Sequence, residues 1–558
     1  MDPACRPLCR LFSNASSEGA GRSRSPPHVG PATPSRQPSP VSCSPLGRPA
    51  LSRTAPAAVS DRVVTALGAP PPFPAADWLS HLMTETLGAR RALGGQLRPL
   101  VVHSGFSGMM SHAKVLQLLD VQAEELLAAE PKPHAVRFVQ QNGLQARHHF
   151  HDIRAIINLE PAYCASCSRQ CSAPPLAADF FHAGFSCQPF SKMRGKHMTT
   201  VPPQEHKKYS GLLLTIDYLL ARRPCCALLE NTKGFNHRIC GGRAASSRAA
   251  SCPDYEPEIQ ELEFDSTGLS LLRDRVCGVF FMSWVELNST AWVEMKRPRL
   301  WIFLVRHDVG TQSMADEAAR LALDFQWRRA QHPPARHSDV LAAPGSKEEA
   351  DLLWRYELDK ERRTPPIRKT PDVVRRQSPE EPKEPAWLKE GREQRAAWRE
   401  RCLALHCAHP LANARFLGLG DTRRPREIAE VHLLRVCVAR GLDPADPSQL
   451  RSASADLAVD VSQNLSWISS SRFNTLSCFT RESLVYSYPR DRLLGPHELL
   501  RYHGWPTVSL QGLTSAHARD LAGEAQTLPC LAAATLGLLL AVGPALPGVW
   551  APLGHHVA

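Results

Sequence analysis

Leu100-Val101-Val102-His103-Ser104-Gly105-Phe106-Ser107-Gly108-Met109-Met110 is the stretch on which the fold turns. Its aliphatic opening reads as a buried strand, and its glycines lead that strand into a turn where backbone can approach a ligand closely. Residues 112–120 then read as a helix, with Val115, Leu116, Leu118 and Leu119 as apolar positions. Ala128-Ala129-Glu130 reads as the end of a second strand, and 135–141 as another short helix. Farther on, a helix over 212–221 leads into the buried run Ala227-Leu228-Leu229. Leu300-Trp301-Ile302-Phe303-Leu304-Val305 is apolar at every position, which predicts a strand buried on both faces. Strands alternating with helices in this way predict an α/β domain, a mostly parallel sheet covered by helices on both sides.

That pattern occupies about 75–305 of the 558 residues. Residues 1–74 form a basic tail rich in Pro, Ser and Arg, with too little apolar area to offset its ordering entropy, so disorder is expected. An Arg- and Ser-rich, acid-poor end suits a nuclear chain, which is the expectation, and equally an organelle transit peptide. Residues at about 340–400 are Pro-rich and densely charged and read as a linker. Helical periodicity resumes through Ile428, Val431, Leu433, Leu434 and Val436. The apolar stretch 530–550 contains Gly537, Gly543, Pro544, Pro547 and Gly548, and so reads as a buried helix ending near Val542 rather than a membrane span. Neither a signal peptide nor a membrane partner is expected. The formal net charge of +12 favours a polyanionic partner, nucleic acid first, although basic tails alone give the same sum. Seventeen scattered cysteines form no small-scaffold disulfide pattern, so free thiols in a reducing compartment are expected.

One thiol has the right surroundings for chemistry. Gly184-Phe185-Ser186-Cys187-Gln188-Pro189-Phe190-Ser191 follows the strand-like Phe180-Phe181. Cys187 therefore stands on a loop at the carboxyl edge of the sheet, where α/β enzymes keep their sites, and a thiolate is the best side-chain nucleophile near neutral pH. Ala227-Leu228-Leu229-Glu230-Asn231-Thr232 ends a strand in an acid–amide pair. In Met295-Lys296-Arg297-Pro298-Arg299, the two arginines at i and i+2 of extended chain point the same way. Glu130 follows the Phe106-Ser107-Gly108 turn at the interval of about 20 residues at which doubly wound nucleotide sites place an acid on ribose hydroxyls. His151-Asp152-Ile153 follows at a similar interval.

Taken together, these segments resemble the C-5 cytosine-specific DNA methyltransferase family. The octapeptide around Cys187 is similar to that family's Gly-Phe-Pro-Cys-Gln-x-Phe-Ser, with Ser186 in place of Pro. Glu230-Asn231-Thr232 resembles its Glu-Asn-Val, and Met295 to Arg299 its Gln-x-Arg-x-Arg, with Met295 in place of Gln. Phe106 to Met110 resembles Phe-x-Gly-x-Gly, with Met110 in place of the last Gly. Arg492-Leu493-Leu494-Gly495-Pro496-His497-Glu498 and the sequence through Pro506 resemble a late organising motif. Gly523-Glu524-Ala525 stands where the family has Gly-Asn-Ala/Ser.

The resemblance implies a Rossmann-like fold that binds S-adenosyl-L-methionine. Residues 306–470 would be an inserted, mainly helical target-recognition region, and 471–558 would return to complete the methyltransferase domain. It implies Cys187 as nucleophile, Glu230 as proton donor to the cytosine ring nitrogen, Arg297 orienting Glu230, and Arg299 on the cytosine O2. It puts Phe106, Ser107, Gly108, Glu130, Asp152, Ile153, Gly523 and Glu524 at the cofactor, with Asp152 accepting from the adenine amino group and Ile153 packing on the ring. Lys192 to His197 resembles a mobile basic segment that closes over nucleic acid. Trp327, Trp387 and Trp398 stand among basic residues in the insertion, a setting that suits base stacking. The expected partner is double-stranded DNA with a flipped cytosine, bound by a monomer. Methylation of RNA, and an inactive nucleic-acid-binding homologue suggested by the four departures, are the alternatives.

Two cysteine features stand apart. Cys164, Cys167 and Cys171 put three thiols close together, but zinc wants four ligands. His182, Cys225, Cys240 or Cys252 could supply a fourth, and no metal is assigned on spacing alone. Cys478-Phe479-Thr480 resembles a tripeptide of the tRNA-methylating branch of the family and is read as coincidental.

Overall fold

The computed structural model describes residues 95–191, 206, 208–236, 267–353, 393, 396–397, 400, 414, 416, 418, 423–462, 475–506 and 508–551. The tail 1–74, the basic segment 192–197, Trp387, Trp398 and most of the charged linker lie outside the described residues.

The first half alternates β1 (Leu100–Gly105), α1 (Ser111–Leu118), β2 (Ala123–Ala129), α2 (Pro133–Gln141), β3 (His148–Phe150) and α3 (Ile153–Asn158). A short hairpin, β4 (Ala162–Cys164) and β5 (Arg169–Cys171), precedes β6 (Phe180–Ala183), α4 (Ser210–Arg222) and β7 (Cys226–Thr232). Then come α5 (Gly268–Val276), β8 (Phe280–Asn288), β9 (Met295–Lys296), β10 (Pro298–Arg306) and α6 (Gln312–Arg329). The sheet order is β5-β4-β3-β2-β1-β6-β7-β10-β8. Strands β3, β2, β1, β6 and β7 run parallel. β10 lies antiparallel between β7 and β8, and the β4–β5 hairpin is antiparallel at the opposite edge. Chain order reverses between β1 and β6, so the loops after these strands diverge and open a crevice at their carboxyl ends.

Strand parity explains the two helical layers. In β10, Trp301, Phe303 and Val305 enter one core with α1, α2 and α6, whereas Leu300, Ile302 and Leu304 enter the other with α3, α4 and α5. The run that is apolar at every position is thus buried on both faces.

After α6 the chain runs through α7 (His337–Val340), α8 (Arg423–Ala439), α9 (Pro447–Ser454) and β11 (Ala458–Asp460). It continues through β12 (Leu476–Ser477), β13 (Val485–Ser487), β14 (Arg492–Leu493), α10 (Pro496–Tyr502), α11 (Ser515–Glu524) and α12 (Leu528–Val542). Ile428, Val431, Leu433, Leu434 and Val436 of α8 form a third core with α9 and the small sheet β11-β13-β14. Helix α6 and the returning α12 share the first core. They meet so closely that a Cβ on Gly537 would stand 2.6 Å from the Ala318 carbonyl oxygen. The segment Leu528–Ala545, the one stretch among the described residues long and apolar enough to cross a membrane, is 89% buried in this protein core.

The return is locked by a buried ion pair. Arg492 and Glu498 meet through two 2.8 Å hydrogen bonds, each side chain 1% exposed. The backbone amides of Gly495 and Ala342 donate to the same carboxylate. Burial opposes the charge on Glu498, but Arg492 and the amides outweigh it and hold the carboxyl below its ordinary 4.5. Glu498→Ala removes the nearer carboxylate of a buried guanidinium, whose other acidic neighbour, Glu349, stands 3.6 Å away, and should cost about 3 kcal/mol, read as a lower urea midpoint. A depressed carboxyl stabilises above the unfolded pKa and stops doing so as pH falls through the folded one. The difference between wild type and variant should therefore hold at neutral pH and narrow below the ordinary 4.5.

Candidate active site

The loop after β6 is held from three sides. Asn231, fully buried at the end of β7, donates its Nδ2 to the Phe185 carbonyl at 3.2 Å. The rings of Phe185 and Phe190 stand edge-on to Phe235, centroids 5.4 and 4.8 Å apart. Gly234 allows this: a Cβ there would fall 1.8 Å from the Phe190 carbonyl oxygen. Cys187 starts the single 3-10 turn Gln188–Phe190 and is half-buried.

Glu230 and Arg299 come together by strand register. β10 pairs with β7 so that Trp301 stands opposite Glu230 and Arg299 opposite Thr232. Arg299 is then the diagonal neighbour of Glu230 on one face, and its Nε meets Glu230 Oε1 at 2.8 Å. The resemblance assigned this contact to Arg297. Arg299 holds Glu230, while Arg297 donates to Cys478 Sγ at 2.8 Å, to the Phe479 carbonyl at 3.4 Å and to the Ala525 carbonyl at 2.7 Å. Arg299 also donates to Cys478 Sγ, at 3.3 Å. On the other side of Glu230, Gln526 Nε2 approaches Oε2 at 3.4 Å. Gly184 leaves room for it, since a Cβ there would lie 2.6 Å from that amide.

The two thiols of the site differ in charge preference. Burial pushes the Cys187 thiol above its ordinary 9.0; Arg299 pulls it back, and Glu230 pushes it up again. Burial also opposes ionisation of Cys478, but Arg297 and Arg299 outweigh it and hold that thiol below 9.0.

Phe106, Ser107, Gly108 and Glu130, four of the residues expected at a cofactor, lie together at the turn after β1. Phe106, Gly108 and Met110 all have left-handed backbone, with φ 53°. Such a conformation costs a residue with a Cβ about 1–2 kcal/mol, which the surrounding contacts must outweigh. Ser107 donates its amide and its hydroxyl to the Ala129 carbonyl. Glu130 receives the Gly108 amide on one oxygen at 2.9 Å and the Lys132 amide on the other at 3.0 Å. Each oxygen keeps a lone pair for a further donor. A Cβ on Gly108 would meet nothing within 4 Å, so open space adjoins the turn. Phe106 packs toward Gly211 at the start of α4.

Asp152 is exposed and caps α3 through the Arg154 amide at 2.9 Å. Ile153 is buried against Gly105. Gly523 lets α11 touch the backbone of Thr480 and Arg481. Glu524 is ion-paired to Lys132. Met110 and Met295 are both fully buried in the first core, and neither side chain projects into open space. Trp327 is 65% exposed on α6.

Cys478, Gln526 and Asn231 complete the site, and the sequence reading gave none of the three a role in it. Cys478 carried a signal in its tripeptide. Gln526 carried none, because its place depends on how α12 enters the core.

Sheet order, an antiparallel β10 inside an otherwise parallel run, and helices on both faces define the class. This is a Rossmann-like S-adenosylmethionine-dependent methyltransferase fold carrying an inserted helical region at the place of a target-recognition domain. No protein-family model and no curated protein sequence matches the chain. Among solved structures it is similar to the Dnmt2 methyltransferase of S. pombe, at 12% identity and TM-score 0.34, over 79% of this chain and 98% of that one. It is also similar to the Entamoeba histolytica methyltransferase EhMeth, at 10% identity and TM-score 0.38, over 79% and 98%. A third is a prophage-encoded E. coli protein described as a DNA modification methyltransferase, at 13% identity and TM-score 0.38, over 79% and 99%.

With its thiol above 9.0, Cys187 should react with iodoacetamide about tenfold faster per pH unit from neutrality upward. Arg299 lowers this pKa, so Arg299→Ala should raise it and slow alkylation at a given pH, with the exposed Cys277 as internal reference. Peptide mass spectrometry of the two sites measures both rates. Faster labelling of Cys187 in the variant would show that access, not charge, controls the thiol.

Proposed function

We propose that this chain transfers a methyl group from S-adenosyl-L-methionine to C5 of a cytosine in a polynucleotide, with Cys187 as nucleophile. The observation that carries this reading is the half-buried thiol on a fixed loop, in the field of the Glu230–Arg299 pair at the carboxyl edge of the sheet. Cys187 gives up its thiol proton to an acceptor brought by the bound base and its surrounding water, bonds to C6 of the ring, and the C5–C6 electron pair moves into the ring. Glu230, held by Arg299 and Gln526, hands a proton to the ring nitrogen and so relieves the developing negative charge. When bound, S-adenosylmethionine supplies an electrophilic methyl group for C5. Loss of the C5 proton to a base then re-forms the double bond and expels the Cys187 sulfur as thiolate, and the ring nitrogen returns its proton to Glu230. The target base must leave its stack to reach the thiol.

The residues around the Gly108 turn fit the cofactor. Glu130 retains acceptor capacity for two hydroxyls, and the space beside Gly108 is open. Three of the four departures that favoured an inactive homologue have local explanations that leave the site intact, because Met110 and Met295 are core residues and Glu524 is charge-paired.

For the substrate, RNA is favoured over DNA. Cys478-Phe479-Thr480 is part of the guanidinium network, not a stray match, and its resemblance is to the tRNA-methylating branch. The purified chain, given tRNA and duplex DNA together with labelled cofactor, should form 5-methylcytosine in the tRNA, measured by nucleoside mass spectrometry. Cys187→Ser should lower the rate by roughly 10³-fold or more; equal product from both proteins sinks the mechanism, and product in DNA alone moves the substrate to DNA. Calorimetry separates enzyme from binding module. Wild type should bind S-adenosylmethionine, and Glu130→Ala should weaken binding roughly 10- to 100-fold through lost charge-assisted hydrogen bonds.

A further inference from the structure

Three thiols and one imidazole converge at the sheet edge beyond β3. The β4–β5 hairpin turns through 165–168, with Ser168 in left-handed backbone at φ 54°. Cys164 ends β4, Cys167 lies in the turn and Cys171 ends β5. β4 pairs antiparallel with β3, Cys164 opposite Phe150, and this brings His148, the first residue of β3, under the turn. His148 Nδ1 is 3.8 Å from Cys164 Sγ and 3.8 Å from Cys167 Sγ. One donor atom from each of the four residues lies within 4.8 Å of all the others.

Tetrahedral zinc has bonds of about 2.3 Å to sulfur and about 2.0–2.1 Å to nitrogen, which sets sulfur–sulfur edges near about 3.8 Å and sulfur–nitrogen edges near about 3.6 Å. The four donors stand close to that tetrahedron and need only small side-chain shifts to complete it. We propose that His148, Cys164, Cys167 and Cys171 bind one structural zinc ion. Four protein ligands close the coordination shell, which marks a structural rather than a catalytic metal. Thiolates with one imidazole select zinc over hard cations. A disulfide between any two of these cysteines would leave the third thiol and the imidazole without a role.

The fourth ligand is not one of those weighed from spacing. His182 lies on β6 and is fully buried in a stack with His112, ring centroids 4.6 Å apart. Cys225 is buried just before β7. Cys240 and Cys252 lie outside the described residues.

The ion gives the hairpin what its length cannot. Two strands of three residues are marginal in water. Here they rest on β3 through the bond from the Ala165 amide to the His149 carbonyl at 2.7 Å, and through Ser166 Oγ to the Ala146 carbonyl at 2.7 Å. A metal bond from His148 fixes the start of β3, and β3 leads straight into Asp152 and Ile153. The clamp therefore steadies the adenine side of the proposed cofactor site; that consequence rests on the functional reading, whereas the metal site does not.

Elemental analysis of the full chain, purified without added metal and dialysed, tests the site without any activity assay. About one zinc per chain is expected. His148→Ala and Cys167→Ser should each lose it, and Cys277→Ser should keep it. If either ligand variant fails to fold, cobalt(II) substitution of wild type decides: the visible bands of a tetrahedral thiolate site, bleached by one equivalent of zinc, support the proposal. Wild type without zinc, zinc retained in both ligand variants, or peptide mapping that finds two of these cysteines joined in a disulfide would each overturn it.

Discussion

Arg297 is the contact on which the site depends. Its guanidinium, buried beside β10, binds Cys478 and Phe479 from one segment of the returning chain and Ala525 from another. A buried guanidinium must satisfy its donors or destabilise the fold by several kcal/mol. The two terminal nitrogens of Arg297 thus find their partners in the C-terminal return. That return carries Cys478 to Arg299 and Gln526 to Glu230, neither of which the first half can place by itself.

The cofactor side is tied down in the same way. Lys132 and His134, just after Glu130, converge on Asp520 of α11, which Arg481 also meets. Burial would raise the Asp520 carboxyl, but Lys132 and the other cations hold it below its ordinary value. Both sides of the crevice are therefore closed by one return segment. The long insertion between β10 and β12 is compatible with this because loop-closure entropy grows only with the logarithm of length, by about 0.6 kcal/mol per doubling. An insertion can grow or shrink at little thermodynamic cost provided its two ends still meet at Arg297 and Asp520.

What the sequence made legible follows from periodicity. β10 was readable because a strand between two helical layers must be apolar at both parities, and Leu300 to Val305 is. The helices α1, α2 and α4 and the strands β1 and β7 were readable for like reasons, from apolar faces bounded by glycines and polar breaks. β8 went unread because one side of it meets only an antiparallel neighbour at the sheet edge, and its half-buried positions carry no clean pattern. Cross-strand facts were beyond reach. Parity says that Arg297 and Arg299 share a face, but only the register of β10 on β7 decides which of them meets Glu230. His148 was invisible as a partner of Cys164 for the same reason: their proximity is set by the pairing of β3 with β4 and by no spacing along the chain.

The electrostatics of the two thiols complete the physical picture. Arg297 and Arg299 both bond Cys478, and Arg299 also pairs with Glu230, so the strongest positive field in the site falls on a thiol and an acid other than Cys187. Burial then leaves Cys187 protonated at neutral pH. A nucleophile kept in that state is protected from stray electrophiles, since thiolate and not thiol reacts. In the proposed mechanism it becomes competent when a base fills the crevice, displaces water and brings an acceptor for its proton. There Arg299, which already pulls the Cys187 pKa down against burial, is positioned to stabilise the negative charge that passes from the sulfur during attack. Restraint of the free thiol thus comes from burial, and stabilisation of the reacting one would come from guanidiniums anchored to Cys478 and Glu230 instead of to Cys187 itself.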